Sequence, residues 1–278
     1  MKTLLISLSL LPLCLYAEEM KLKHTENIQR NFPATKTLGV ANISGSVHVT
    51  GYNGQEIQMT AVRTTEADTQ EVLDRANREI VLKTEVRDGQ LQIYPDGPFR
   101  ESRSPFDNSH THNNPGYHFS FDITLKVPHN MNLDLRNVNK GGITVEDVNG
   151  HFEVNEVNGP VEMKGITGDG EARSVNGALR IGFNQNPTGP CKFKTVNGPV
   201  EVSLKPGLSA DLEYKTLHGG IFTDFEVTGA PSNVPGTSEQ KNGRFVYRSH
   251  GYSKSRVGSG GPLLSFETVN GEVRILKK

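Results

Sequence analysis

Between residues 137 and 205 apolar and polar positions alternate in short runs, and the runs are punctuated by glycine at a nine-residue spacing: Gly141, Gly150, Gly159, Gly168 and Gly177. Two residues after these glycines stand Ile143, Phe152, Val161 and Leu179, with Gly170 as the exception. Four residues after them stand Val145, Val154, Met163, Ala172 and Ile181. The positions between, Thr144, Glu153, Glu162, Glu171 and Arg180, are polar. Side chains alternate across a strand, so each run reads as a short strand with one buried and one wet face. Val-Asn-Gly closes the runs at Val148–Gly150, Val157–Gly159 and Val175–Gly177, and returns at Val196–Gly198 and Val269–Gly271. Asparagine and glycine both tolerate positive φ, which predicts tight corners there. The interval from Gly159 to Gly177 spans two beats, and the interval from Gly177 to Gly198 is slightly longer. The longer connectors, such as Phe183–Pro190, fall on alternate corners. The expected fold is all-β: a β-solenoid-like stack of short strands with Asn-Gly corners, about two strands per 18–21-residue coil. An antiparallel meander or β-sandwich is the alternative.

The flanks carry modified copies. Leu38–Val49 repeats the motif around Gly45, and a further strand covers Glu56–Ala61. The pattern predicts a helix over Thr65–Asn77, with Val72, Leu73 and Ala76 on one face and Thr65 as its cap. Ile80–Val86 and Leu91–Tyr94 read as a hairpin across Asp88-Gly89. Tyr117–Val127 and Met131–Val138 lead into the glycine beat, and strands resume at Gly243–Tyr247, Leu263–Val269 and Glu272–Leu276. Two polar loops span 96–115 and 227–242.

Met1–Ala17 holds one lysine, a short apolar run and a small residue before Glu18-Glu19, which reads as a secretory signal peptide. It is shorter than the roughly 20 residues of a membrane span. Leu11-Pro12-Leu13 before Cys14 argues against a lipid anchor at that cysteine. The expected organisation is therefore a signal peptide at 1–17, an N-terminal lead at 18–35, and a single β-strand-repeat domain at 36–278. Export places the protein in the periplasm, on the outer surface or outside the cell. Loss of Cys14 with the leader isolates Cys191, so no intrachain disulfide is expected. A formal charge of −1 with no basic tract disfavours nucleic acid as a partner. No tryptophan is present, which excludes stacked tryptophans as a sugar platform.

Val40–Val49, the segment Phe121–Pro128 and units such as Thr195–Val202 resemble the bacterial "putative adhesin" family, a β-strand-repeat domain of unknown function. The similarity covers roughly residues 36 to 276. It implies an exported or cell-envelope β-repeat protein and transfers no catalytic residue, cofactor or metal. The loop at 96–115 departs from the common form.

Candidate chemistry is sparse. His110, His112 and His118, with Asp107, have imidazole spacing that could hold zinc or copper, but in a polar loop they read as solvated. His218 stands where the repeat has asparagine and reads as a corner variant. Glu153, Glu162, Glu171 and Glu201 recur on wet strand positions and could stack for calcium. Lys164, Arg173, Lys192 and Lys194 can offset them, and a solvated face is expected. Gly165–Gly170 lacks the lysine and helix of a phosphate loop. No catalytic, cofactor-binding or metal-binding residues are assigned. The expected function is a non-catalytic scaffold touching an envelope protein or glycan. The alternatives are a carbohydrate-active enzyme on a solenoid and a metal- or stress-responsive envelope sensor.

Overall fold

The computed structural model describes residues 21–100, 116–228, 237–241, 244–248 and 251–278. The predicted leader, Cys14, Asp107, His110 and His112 lie outside the described residues, as do parts of both predicted loops.

In chain order the elements are β1 (Leu22–Pro33), β2 (Thr37–Ala41), β3 (Ser44–Tyr52), β4 (Glu56–Ala67), α1 (Gln70–Glu79), β5 (Val81–Arg87), β6 (Gln90–Asp96), β7 (Tyr117–Pro128) and β8 (Asn132–Glu146). The repeat region supplies β9 (Phe152–Asn158), β10 (Val161–Ile166), β11 (Gly170–Asn176), β12 (Leu179–Phe183), β13 (Cys191–Asn197) and β14 (Val200–Leu204). Then come β15 (Ala210–His218), β16 (Ile221–Thr223), β17 (Val227–Thr228), β18 (Thr237–Lys241), β19 (Arg244–Arg248), β20 (Gly251–Val257), β21 (Leu263–Asn270) and β22 (Val273–Lys277).

All 22 strands belong to one curled, mixed sheet, a half-barrel. Its first arm runs β5-β6-β2-β8-β9-β11-β13-β21-β15-β20-β17. Its second runs β1-β4-β7-β3-β8-β10-β12-β14-β22-β16-β19-β18. β8 belongs to both arms. Alternating apolar residues fill the space between them. Phe152 meets Phe183 at 6.5 Å, Phe183 meets Phe193 at 6.2 Å, and Phe193 meets Phe266 at 5.4 Å between ring centroids. At the outer edges, Arg30 of β1 donates to the Leu82 carbonyl and Thr84 Oγ1 of β5, so side chains occupy groups that the ladder leaves open.

This architecture corrects the expected solenoid. Every second strand of the repeat does pair in parallel, Val161 with Leu179 and Phe152 with Gly170, which also excludes the meander. Free-standing coils turning at Asn-Gly corners do not form, for three reasons. β8 continues through Gly141, where a corner was expected, because Lys140, Gly141 and Gly142 bend it with φ of 65°, 73° and 92°. β21 lies between β13 and β15, and β22 between β14 and β16, so layers do not follow chain order. Antiparallel strands complete the sheet at both ends. Nor do the triplet asparagines turn the chain. Among the described residues the non-glycine positive-φ positions are Asp88, Lys140 and Asp147.

The helix is also displaced. α1 begins at Gln70, and Thr69 Oγ1 accepts from Val72 N–H as its cap. Thr65 stays in β4, since pairing with β1 and β7 continues to Ala67. Its buried hydroxyl donates to Asn77 Oδ1. Leu73 and Ala76 are buried as the pattern requires. The hairpin across Asp88-Gly89 forms, with both residues at positive φ, matching the twist of the flanking strands.

Candidate contact surface

The edge where β9, β11, β13, β21 and β15 end carries three columns of in-register residues. The first is glycine. A Cβ on Gly177 would meet Gly159 O, one on Gly198 would meet Gly177 O, and one on Gly271 would meet Gly198 O, all inside 3.0 Å. Close passage of the next backbone layer, rather than positive φ, demands glycine at Gly177 and Gly271.

The second column is buried and polar. Ser174 and Thr195 donate to the carbonyls of Gly159 and Gly177, each at 2.9 Å, and Thr268 donates to Gly198 O at 2.9 Å. Thr216 donates to Gly271 O at 3.0 Å. These hydroxyls satisfy carbonyls that have no water to bond. Glu156 holds the same position one layer earlier and accepts from Asn137 Nδ2 at 2.9 Å. Burial pushes its carboxyl above the usual carboxylate range, while the Asn137 bond and backbone bonds pull it back.

The third column is an amide ladder. Asn158 donates to Asn139 at 2.9 Å, Asn176 to Asn158 at 2.8 Å, Asn197 to Asn176 at 2.8 Å and Asn270 to Asn197 at 2.7 Å. His218 closes it through Nδ1, 3.1 Å from Asn270 Oδ1, so the position expected to be a corner is instead the end of the ladder. The residues between the columns leave an aliphatic stripe, in which Val157, Val175 and Leu217 are exposed.

Beside the stripe, the outer side of the first arm presents two charged rows. One runs Arg136, Asn155, Arg173, Lys194, Glu267, Lys215, and the next runs Asp134, Glu153, Glu171, Lys192, Ser265, Glu213. Charges pair within and across them. Arg173 grips Glu171 with two nitrogens, Lys192 reaches Glu171 at 3.6 Å, and Lys194 reaches Glu267 at 3.2 Å. Lys254 reaches Glu213 at 3.2 Å and Arg136 reaches Glu153 at 3.7 Å. A shallow groove of about 540 Å³ crosses this surface, with His151 at its rim. His151 Nδ1 lies 2.9 Å from Asp169 Oδ1.

The four glutamates singled out in the sequence are thus split. Glu153 and Glu171 are neighbours on the first arm, while Glu162 and Glu201 lie on the second. There Glu162, Arg180, Glu201 and Arg274 alternate in sign across the strands, and Lys164 lies 3.6 Å from Glu162. Among the described residues no three His, Cys, Asp or Glu side chains gather as a metal site. His118 sits on β7 opposite Glu66, exposed. The buried hydroxyl column escaped the sequence reading, although its signal was present: Ser or Thr stands three residues before Gly177, Gly198, Gly219 and Gly271.

Cys191 points into the core, and burial pushes its thiol up from 9.0 to about 12. Its proton is held in the folded state, so the stabilising contribution is full below pH 9.0 and is lost as pH rises toward 12. At pH 8 a disulfide-exchange reagent is expected to leave Cys191 unmodified in the native protein and to modify it once denaturant is added. Prompt reaction of the native thiol would contradict this burial.

No family model and no curated protein matches the chain. Solved structures resemble it distantly. A "putative cell adhesion protein" from Clostridium sporogenes is 11% identical, with a TM-score of 0.35, over 93% of this chain and 100% of that one. A "putative adhesin" from Bacteroides fragilis is 11% identical, with a TM-score of 0.34, over 91% of this chain and 97% of that one. Among the described residues no helix is long and apolar enough to cross a membrane.

Proposed function

We propose that this is a non-catalytic exported β-repeat protein whose first arm serves as a contact scaffold for an envelope protein or glycan. The supporting observation is the register of its outer side: an aliphatic stripe and two charged rows held on a rigid ladder of parallel strands. A surface fixed in this way loses little conformational entropy on association. Export rests on the leader-like segment at 1–17.

The groove contains acids and a lysine, the setting a sugar-cleaving enzyme would need. Glu153, Glu171, Glu213 and Glu267 each form an ion pair with a neighbouring arginine or lysine, so the acids of the groove are already engaged by cations of the same surface. This pairing supports contact over hydrolysis.

The test is binding of the purified protein to an array of envelope glycans and to isolated envelope proteins, repeated with Arg173→Glu and Lys194→Glu together. Exposed ion pairs contribute about 0–1 kcal/mol, so the variant is expected to fold and to lose binding. Unchanged binding would remove the first arm from the reading, and release of sugar fragments by the wild type would replace it with an enzyme.

A further inference from the structure

At the bend of β8 the structure holds an open groove of about 630 Å³, away from the charged rows. Ile43, Phe99 and Phe119 form its apolar side, with the two phenyl rings stacked at 5.1 Å. Ser44, His118, Asn139, Lys140 and Asn158 form its polar side, and Tyr117 also lines it. Among the described residues no carboxylate side chain lines it.

Two features make the polar side unusual. Every amide in the asparagine ladder donates in the same direction, toward Asn139, so the amide dipoles add. Hydrogen bonds in such a chain polarise one another. Asn139 Oδ1 accepts from Asn158, and Asn139 Nδ2 has no partner among the described residues. The groove therefore receives the donor end of the ladder. Beside it, Lys140 holds a left-handed backbone with a φ of 65°. Non-glycine residues avoid that conformation. Gly141 and Gly142 follow it, so the bend already uses glycine where backbone freedom is wanted. A lysine kept in a strained position points to a use for its side chain. Its ammonium makes no ion pair among the described residues.

We propose that this groove binds a small amphiphilic monocarboxylate. The carboxylate sits between the Lys140 ammonium and Asn139 Nδ2, and the apolar body lies along Phe119, Phe99 and Ile43. A cation and an oriented amide donor match a carboxylate in charge and in hydrogen-bond sense. A neutral alcohol of the same length would leave the cation unmatched. This site is independent of the contact reading of the first arm.

The test is calorimetric titration of the full-length protein with dodecanoate below its micelle concentration, alongside dodecanol. Lys140→Gly is the informative variant, because glycine accepts the left-handed backbone of this position without strain and folding is preserved. Lys140→Asn, which also tolerates left-handed backbone, repeats it. Saturable one-to-one binding of dodecanoate is expected, at least about tenfold weaker in both variants and for dodecanol, a difference of roughly 1.4 kcal/mol. Arg173→Glu with Lys194→Glu is expected to leave it unchanged. Absence of saturable binding, equal affinity in the Lys140 variants, or equal affinity for dodecanol would each overturn the proposal.

Discussion

Gly177→Ala is expected to destabilise the protein by about 3 kcal/mol or more, although it adds a single methyl group to a residue outside the aromatic core. The new Cβ would collide with the carbonyl of Gly159 in the layer beneath, and with that layer's backbone carbon and the Pro160 nitrogen. Backbone atoms cannot rotate aside as a side-chain tip can. Relief requires the two layers to separate, which stretches the Ser174 bond to Gly159 O and the Asn176–Asn158 amide bond. In a chain of this size the loss corresponds to a fall in Tm of roughly 6–12 °C. Gly182→Ala is the matched control within the same repeat. Its Cβ would meet nothing closer than Met163 O at 3.8 Å. The stability of this control is therefore expected to stay within about 0.5 kcal/mol of wild type. Equal melting temperatures for the two variants would show that layer spacing is not what fixes glycine at Gly177.

Arg63→Met is expected to cost about 2–4 kcal/mol, the order expected for leaving two carbonyls without their donor at about 1–3 kcal/mol each. The Arg63 side chain is 9% exposed, on the face of β4 that receives α1. Its guanidinium donates to Asn77 O at 3.2 Å and to Ile80 O at 2.5 Å, and lies 2.7 Å from Glu26 on β1. The last carbonyls of a helix lack intrahelical partners. Arg63 supplies partners here and ties the helix end to the edge strand. Methionine fills much of the same volume but leaves those carbonyls buried without a donor. Glutamine at position 26 keeps an oxygen that can accept from the guanidinium, and this position is 47% exposed. Glu26→Gln is accordingly expected to cost only about 1 kcal/mol. Urea unfolding of both variants measures the contrast. A larger loss for Glu26→Gln would assign the stability to the ion pair instead of to the helix cap.

Much of the fold was written in the alternation of residues. The inward set Phe152, Val154, Val161, Met163, Leu179 and Ile181 is buried as the period-two pattern demands. The hairpin at Asp88-Gly89 was legible because its turn chemistry is local. What failed was the inference from Asn-Gly to a corner. Both a turn and a close layer contact call for glycine, and sequence spacing does not separate a torsional need from a steric one. Asparagine was ambiguous in the same way, since it both tolerates positive φ and hydrogen-bonds its own kind across layers. The order of the layers was hidden for a different reason. The copies at Asn197, His218 and Asn270 are alike enough that their spacing does not state which pairs with which. At the candidate surfaces, the acids of the first arm were visible as residues, but the arm each belonged to was not. The groove at Lys140 is assembled from β3, β7, β8 and the chain after β6, a convergence that no local window contains.

The placement of β21 and β22 inside the stack changes how the molecule can vary. An ordinary repeat array lengthens or shortens by gaining or losing units at its end, and its stability approximates a sum over neighbours. Here a pair of strands synthesised after β15 and β16 separates them from β13 and β14. The growing polypeptide cannot finish the stack in the order in which it is translated. The layer between β13 and β15, and that between β14 and β16, exists only once Leu263–Lys277 is in place. A unit cannot be inserted or lost at that point without breaking the ladders on both sides of it.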